Sequence, residues 1–236
     1  LGTLFSFDRV IDQLEATFPE DLPSQKQARI FYYAWLWAGI RDYFGTSHAG
    51  RYNSLLSILR ATLTRARLVQ DMEAPTNEEI DQIMAAFDDL LPMATALECF
   101  ELLRENNWDI WILTNGSYSS TETLLKKHGL DTFVGDNILS CDDLKISKPH
   151  PKVYSEFMRS AVHKTKRIEN FYLIAAHAWD LAGAKNVSVR TVYLTTEEKV
   201  YSADAYDGTY PDIQSDSLIK CVKAMIELEN TKRRFL

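Results

Sequence analysis

The sequence predicts an α/β fold in which a parallel-sheet core is interrupted by an inserted helical cap, and two patterns carry that expectation. Residues 24–90 read as helix throughout, with no convincing strand. After Leu91-Pro92 the pattern becomes helix, strand, helix, strand, the order of crossover connections on a parallel sheet. The expected division is a core of residues 1–20 and 91–236 and a cap of residues 21–90, with no internal repeat or low-complexity block.

Within the cap, Ser24 is placed to cap a helix whose aromatic residues include Phe31, Tyr32, Trp35, Trp37 and Tyr43, with Gly45 as its expected stop. A second helix reads from Tyr52 to Val69. A third opens at Thr76, with Glu79 at the spacing of a capping box. In the core, a helix from Ala94 to Glu105 leads into the apolar run Trp108–Leu113, followed at once by Thr114-Asn115-Gly116. A polar helix from Ser119 to His128 ends at Gly129. Phe171–Ala175 and Thr191–Leu194 read as buried strands separated by a helix containing Gly183. Thr195–Pro211 reads as a loop, and Ser217–Leu228 as a final amphipathic helix.

A chain of 236 residues with 46% hydrophobic content can bury a full core. Its formal charge of −7 argues against a broad electrostatic grip on nucleic acid or anionic lipid. The longest apolar stretch, Ile30–Ile40, lies between Arg29 and Arg41 and is too short to span a bilayer, so no membrane partner is expected. Three cysteines without C-x-x-C spacing favour neither a disulfide framework nor a thiolate zinc site, and a reducing, cytoplasmic location follows as the expectation. No secretory signal is visible, and Leu1 is an unusual first residue, so further residues are expected upstream.

In open α/β sheets, ligands sit beyond the carboxyl ends of the strands. Four clusters occupy such places: Leu1-Gly2-Thr3-Leu4-Phe5, Leu113-Thr114-Asn115-Gly116, Lys148-Pro149-His150-Pro151 with Tyr154, and Ala175-Ala176-His177-Ala178-Trp179-Asp180. As an ordered set, G-T-L, L-T-N-G, K-P-x-P-x-x-Y and A-H-A-W-D-x-x-G-A resemble the four motifs of the haloacid dehalogenase (HAD) superfamily. The last of them resembles its 2-haloacid dehalogenase branch. The resemblance covers almost the whole chain, including the helical cap.

What the resemblance implies is covalent catalysis by an aspartate two residues before the position matching Leu1: it displaces halide from carbon, and water hydrolyses the resulting ester. Lys148 would keep that carboxylate ionised, Asp180 would pair with Lys148 and orient the water, and Thr114 and Asn115 would hold the substrate carboxylate or the nucleophile. Thr3 and Tyr154 join them as substrate-side residues. As a simpler alternative, Thr114 and Asn115 end a strand and Asp180 caps a helix. The family's phosphatases hold Mg²⁺ partly through an acid four residues before the position of Asp180; Ala176 stands there, so no metal and no cofactor is expected. Caps of this branch often support dimers, which makes a homodimer an expectation from resemblance.

Departures gather at the active site. The aspartate is not in the sequence as given, Leu1 replaces the usual aromatic, and Ala175 and His177 stand where many dehalogenases have serine and asparagine. Gln27 aligns with the halide-binding arginine; Arg29 is two positions away, roughly 200° around a helix, and would face elsewhere. His177 reads either as an acid–base group beside Lys148 and Asp180 or as a passive inheritance. The aromatic stripe reads either as ordinary core or as a cleft lining, with Phe31 and Trp35 against a larger apolar ligand.

Three functions follow. The first is a HAD scaffold turned to non-hydrolytic chemistry, a cyclisation or isomerisation of a small biosynthetic intermediate, with donors such as Thr114, Asn115, Lys148 or His177 on developing charge. The second is a dehalogenase or related hydrolase whose aspartate lies just upstream of Leu1. The third is a non-catalytic small-molecule-binding protein.

Overall fold

The computed structural model describes residues 2–233; Leu1, on which the departure at the first motif falls, lies outside the described residues. The chain opens with a two-residue strand β1 (Phe5–Ser6), followed by helices α1 (Asp8–Thr17), α2 (Gln25–His48), α3 (Leu55–Leu68) and α4 (Asn77–Ala85). Strand β2 (Leu91–Pro92) then pairs antiparallel with β1, and Met93 N–H donates to Leu4 O at 2.8 Å. The two chain crossings between helical layer and sheet layer thus lie side by side.

Local chemistry explains the helical layer. Ser24 and Ser54 accept backbone N–H groups at the starts of α2 and α3, and Thr76 and Glu79 form the reciprocal capping box that opens α4. Gly45 does not stop α2. Its carbonyl accepts Ala49 N–H at 3.0 Å inside a continuous helix, and the reversal falls instead to Gly50, whose φ of +70° is open to glycine without strain. A glycine within a helix costs only about 1 kcal/mol, less than the packing of the turn around it returns. Helix α1 packs on α2 and α4, and α2 on α3.

After β2 the predicted alternation appears: α5 (Ala96–Glu105), β3 (Ile112–Thr114), α6 (Tyr118–Lys127), α7 (Asp131–Val134), β4 (Ile138–Ser140), α8 (Cys141–Leu144) and α9 (Pro151–Thr165). Next come β5 (Tyr172–Ala175), α10 (Ala178–Lys185), β6 (Arg190–Leu194), β7 (Ile213–Ser215) and α11 (Leu218–Arg233). The expected α/β class with parallel strands is what the structure shows. Strands β4 and β7 were not anticipated, because three residues are too few to display a period. Thr195–Pro211 is not uniform loop either: it contains a 3₁₀ turn at Ala203–Tyr206, with Tyr201 and Ala203 buried against Tyr193 and Leu181.

The parallel strands form two separate ladders. Strand β3 pairs with β4 from Ile112↔Ile138 to Thr114↔Ser140, and β5 pairs with β6, which pairs with β7. Among the described residues β3 and β5 each have a ladder partner on one side only. Their other edges line one cavity of about 310 Å³, together with Trp108, Gly116 and Lys148. The strands run in the same direction along it. At their amino ends the rings of Trp108 and Tyr172 meet edge-on at 5.2 Å; at their carboxyl ends Lys148 Nζ donates to Leu113 O at 3.1 Å and to Asp180 Oδ2 at 2.7 Å. Ile112 and Leu113 in β3 and Tyr172 to Ile174 in β5 are accordingly only half-buried, whereas Thr191 to Leu194 of β6 are fully buried. No described helix is long and apolar enough to cross a membrane.

Candidate active site

Each strand end delivers its side chains to the carboxyl end of this cavity. Lys148, buried at the start of the turn into α9, reaches across to Asp180 Oδ2 at 2.7 Å, while Tyr154 from α9 donates to Asp180 Oδ1 at 2.6 Å. Burial above all, then the Asp180 charge, pushes the Tyr154 phenol well above its usual range, so it stays a donor. Gly183, one turn after Asp180, lets this cluster close: a Cβ there would sit 2.7 Å from Pro149 O and 2.7 Å from Tyr154 Cε2.

Asn115 is oriented by two donors to its Oδ1, Lys148 N–H at 3.2 Å and Tyr43 O–H at 3.4 Å, which leaves its Nδ2 without a partner among the described residues. Thr114 Oγ1 accepts Gly116 N–H at 2.9 Å, and Ser140 Oγ donates to Gly116 O at 2.8 Å, so this loop is fixed by its neighbouring strand. Thr3 Oγ1 accepts Ala176 N–H at 3.1 Å, which pins the beginning of the described chain to the mouth of β5. Gly2 precedes it at φ +79°, and a Cβ there would lie 3.2 Å from both His177 Nε2 and Phe7 Cε2. The helical layer contributes Leu36, Ile40 and Leu55 as an apolar roof. It is tied down by the string Tyr43–Tyr52–Asp142, in which Tyr52 O–H donates to Asp142 Oδ1 at 2.5 Å, and by Ser147 N–H on Ser47 Oγ at 2.9 Å.

Thr3, Thr114, Asn115, Lys148, His177 and Asp180 therefore line one space. Two other expectations need correction, and a third, that Arg29 faces elsewhere, agrees with the structure. Phe31 and Trp35 do not line it: both are sealed inside the helical layer, where Trp35 Nε1–H donates to Leu59 O at 3.1 Å. Tyr154 lies beneath Asp180 and supports it; it is not among the residues that face the cavity. Neither Gln27 nor Arg29 reaches the cleft: Gln27 is exposed at the start of α2, and Arg29 pairs with Asp8 at 2.7 Å.

Glu198 was missed. It lies beyond β6, where the strand-end rule would have found it. One oxygen sits 3.3 Å from His177 Nδ1, and the other accepts Ala178 N–H at 2.8 Å. Its neighbour Glu197 accepts Tyr33 O–H at 2.7 Å. Cys141 is buried, and burial pushes its thiol up to about 12 despite the nearby Lys148 ammonium.

Comparison with known proteins adds to this geometry. A family model described as haloacid dehalogenase-like hydrolase matches residues 2–188. The chain is 32% identical to (S)-2-haloacid dehalogenase 4A of Burkholderia cepacia over 117 residues, which is 50% of this chain and about half of that protein's length, 49%. It is 24% identical to (S)-2-haloacid dehalogenase of Pseudomonas putida over 207 residues, 85% of this chain and 83% of that one. Its fold is similar to the structure of L-2-haloacid dehalogenase from Xanthobacter autotrophicus with chloropropionic acid covalently bound, with a TM-score of 0.76, 20% identity and 95% of each chain covered. These relatives carry a dehalogenase name, and the expected cyclase or biosynthetic role draws no support from them. With every strand-end cluster from Thr3 to Asp180 inside the matched span, the chain belongs to the haloacid dehalogenase-like hydrolase family.

Proposed function

We propose that this protein hydrolyses the carbon–halogen bond of a small 2-haloacid, with a carboxylate nucleophile carried on a strand that leads into Gly2. The slot between β3 and β5 carries this reading. Its two walls are open parallel edges, and Gly2 and Thr3 are already pinned at its carboxyl mouth. An extended segment entering there would satisfy both rows of backbone groups and place a side chain beside Lys148, two residues before Leu1. In this reading residues 21–90 are the cap over the cleft.

The chemistry then distributes over the described residues. Attack by the carboxylate on C2 expels halide and forms an ester; water then cleaves the ester and restores the carboxylate. The Lys148 ammonium, held between Leu113 O and Asp180, favours the ionised nucleophile. The unpartnered Nδ2 of Asn115 is a donor for the substrate carboxylate, and Leu36, Ile40 and Leu55 exclude water from the reacting carbon. The chloropropionic acid bound covalently in the Xanthobacter autotrophicus structure supports a substrate of this size. The non-hydrolytic reading, by contrast, loses one of its two grounds, the aromatic cleft, since Phe31 and Trp35 are sealed away from the cavity.

The test is release of halide and 2-hydroxypropionate from 2-chloropropionate by the natural full-length protein, with mass analysis of the peptide that ends near Gly2. Enzymatic halide release with a transient carboxyethyl adduct on that peptide is expected. No halide and no adduct would overturn the proposal.

A further inference from the structure

We infer that His177 and Glu198 form an acid–base pair that handles the proton of the ester-cleaving water, a role that rests on the hydrolase reading. Three contacts fix the imidazole. Nδ1 faces Glu198 Oε1 at 3.3 Å, the ring stacks on Trp179 at 5.4 Å between centroids with a 9° tilt, and the backbone of His177 caps α10. Glu198 is itself held by Ala178 N–H at 2.8 Å and Tyr193 O–H at 3.4 Å. A donor bond from Nδ1–H to the carboxylate leaves the lone pair on Nε2. That atom has no partner among the described residues and faces Gly2, the residue that follows the nucleophile's strand.

Asp180 is placed differently. Both of its oxygens are engaged, one by the Lys148 ammonium and one by Tyr154 O–H, so it serves as the anchored counter-ion of Lys148. The groups around His177 that carry charge or titrate are Glu198 and Glu197 from the segment after β6, Tyr193 from β6, Asp180 from α10, and Lys148, with Tyr33 of α2 held on Glu197. Among these described groups only His177 combines an open basic nitrogen with a fixed ring.

The step balances. Nε2 takes one proton from water as its oxygen adds to the ester carbonyl. The tetrahedral intermediate then collapses with cleavage of the acyl–oxygen bond, and the imidazolium returns that proton to the departing alkoxide, releasing the 2-hydroxy acid. The regenerated carboxyl group loses its own proton to solvent. Glu198 acts as the positioning residue: it sets the tautomer and the ring direction.

The experiment uses the full-length protein with 2-chloropropionate under rapid quench. His177→Phe, which keeps a ring on Trp179 and removes both nitrogens, is expected to keep the single-turnover halide burst, to accumulate the ester by mass, and to slow steady turnover by about 10²-fold or more. It should also lose the acid limb of the turnover–pH profile. Glu198→Gln is expected to keep the burst, slow turnover by about tenfold or more, and move that limb without abolishing it. Wild-type turnover in His177→Phe, or loss of its burst, overturns the pair. A wild-type protein that gives no burst overturns the hydrolase reading instead. Nitrogen NMR on the unaltered protein then decides the pair alone: a protonated Nδ1 and bare Nε2 on His177 support it, and a protonated Nε2 sinks it.

Discussion

In the helical layer, Trp35 has its indole N–H on Leu59 O and its ring against Tyr32 and Phe87, and Phe31 beside it is equally sealed. In the sheet layer, β3 and β5 keep one backbone edge each without a ladder partner, and their apolar side chains stay half-buried around the cavity between them. The helices close their aromatic packing, although Tyr32 Oη and Arg67 Nη1 stay buried without a hydrogen-bond partner, whereas β3 and β5 each keep an open edge among the described residues. In the proposed reading the ligand therefore belongs on the sheet side, and the aromatic wealth of α2 is structural.

The comparison breaks most visibly if β3 and β5 behave like β6. Residues 1–236 alone should show little hydrogen-exchange protection at the amides of β3 and β5 and strong protection in β6. Under the proposed reading, supplying a strand upstream of Leu1 should raise protection at both edges toward the global stability. Equal protection of β5 and β6 in the shorter chain would show that the slot is no open edge.

Next in size is Lys148→Met in the full-length protein. Removing the ammonium leaves Asp180 buried with only Tyr154, and breaking a buried pair from one side costs about 3–5 kcal/mol. Turnover should fall by about 10³-fold or more as well, since a fixed charge beside the reacting carboxylate is lost. Urea unfolding and halide release check the two effects separately; a stable, active Lys148→Met protein would contradict the site. Trp35→Ala sharpens the other half of the comparison. It should cost about 3–5 kcal/mol in urea unfolding while leaving KM for 2-chloropropionate near the wild-type value. Ile40→Ala, at the roof, should move KM severalfold with a smaller stability loss.

Gly183→Ala comes after these. Its new methyl would meet Pro149 O and Tyr154 Cε2 at 2.7 Å, and overpacking of this kind costs about 1–3 kcal/mol. Since the displaced groups hold Asp180, kcat should fall more than KM rises. A change confined to KM would separate Gly183 from the Lys148–Asp180 cluster.

How much of this was legible follows from where the signal lies. Thr114, Asn115 and Asp180 end or follow a strand or open a helix, so local pattern places them at one end of the sheet, while Thr3 and Lys148 were legible only through the motifs that contain them. Phe31 and Trp35 were ambiguous because aromatic residues occur all round α2, from buried Trp35 to exposed Trp37, and periodicity then selects no face. Glu198 was hidden inside a stretch dismissed as polar loop, although it stands four residues after Leu194, at the same kind of strand end. The slot had no sequence signal at all. An open edge is a property of two strands distant in the chain, and nothing in Ile112–Thr114 or Tyr172–Ala175 announces that one side of each has no ladder partner among the described residues.

The smallest effect concerns the thiols, all three of which lie on helices of the sheet layer and are kept neutral by burial. Burial pushes Cys99 and Cys221 up to about 11 and Cys141 up to about 12. An unfolded cysteine ionises near about 8.5, so each folded value is raised. Stability drawn from the neutral thiols is complete below that unfolded value, and it is lost as pH climbs from there toward 11 and 12. Urea midpoints should accordingly fall between neutral and strongly alkaline buffer. At mildly alkaline pH the folded protein should react with iodoacetamide far more slowly than free cysteine, because the thiolate is the reactive species. Rapid alkylation of Cys141 in folded protein would place it in an open, charged environment and would contradict its burial.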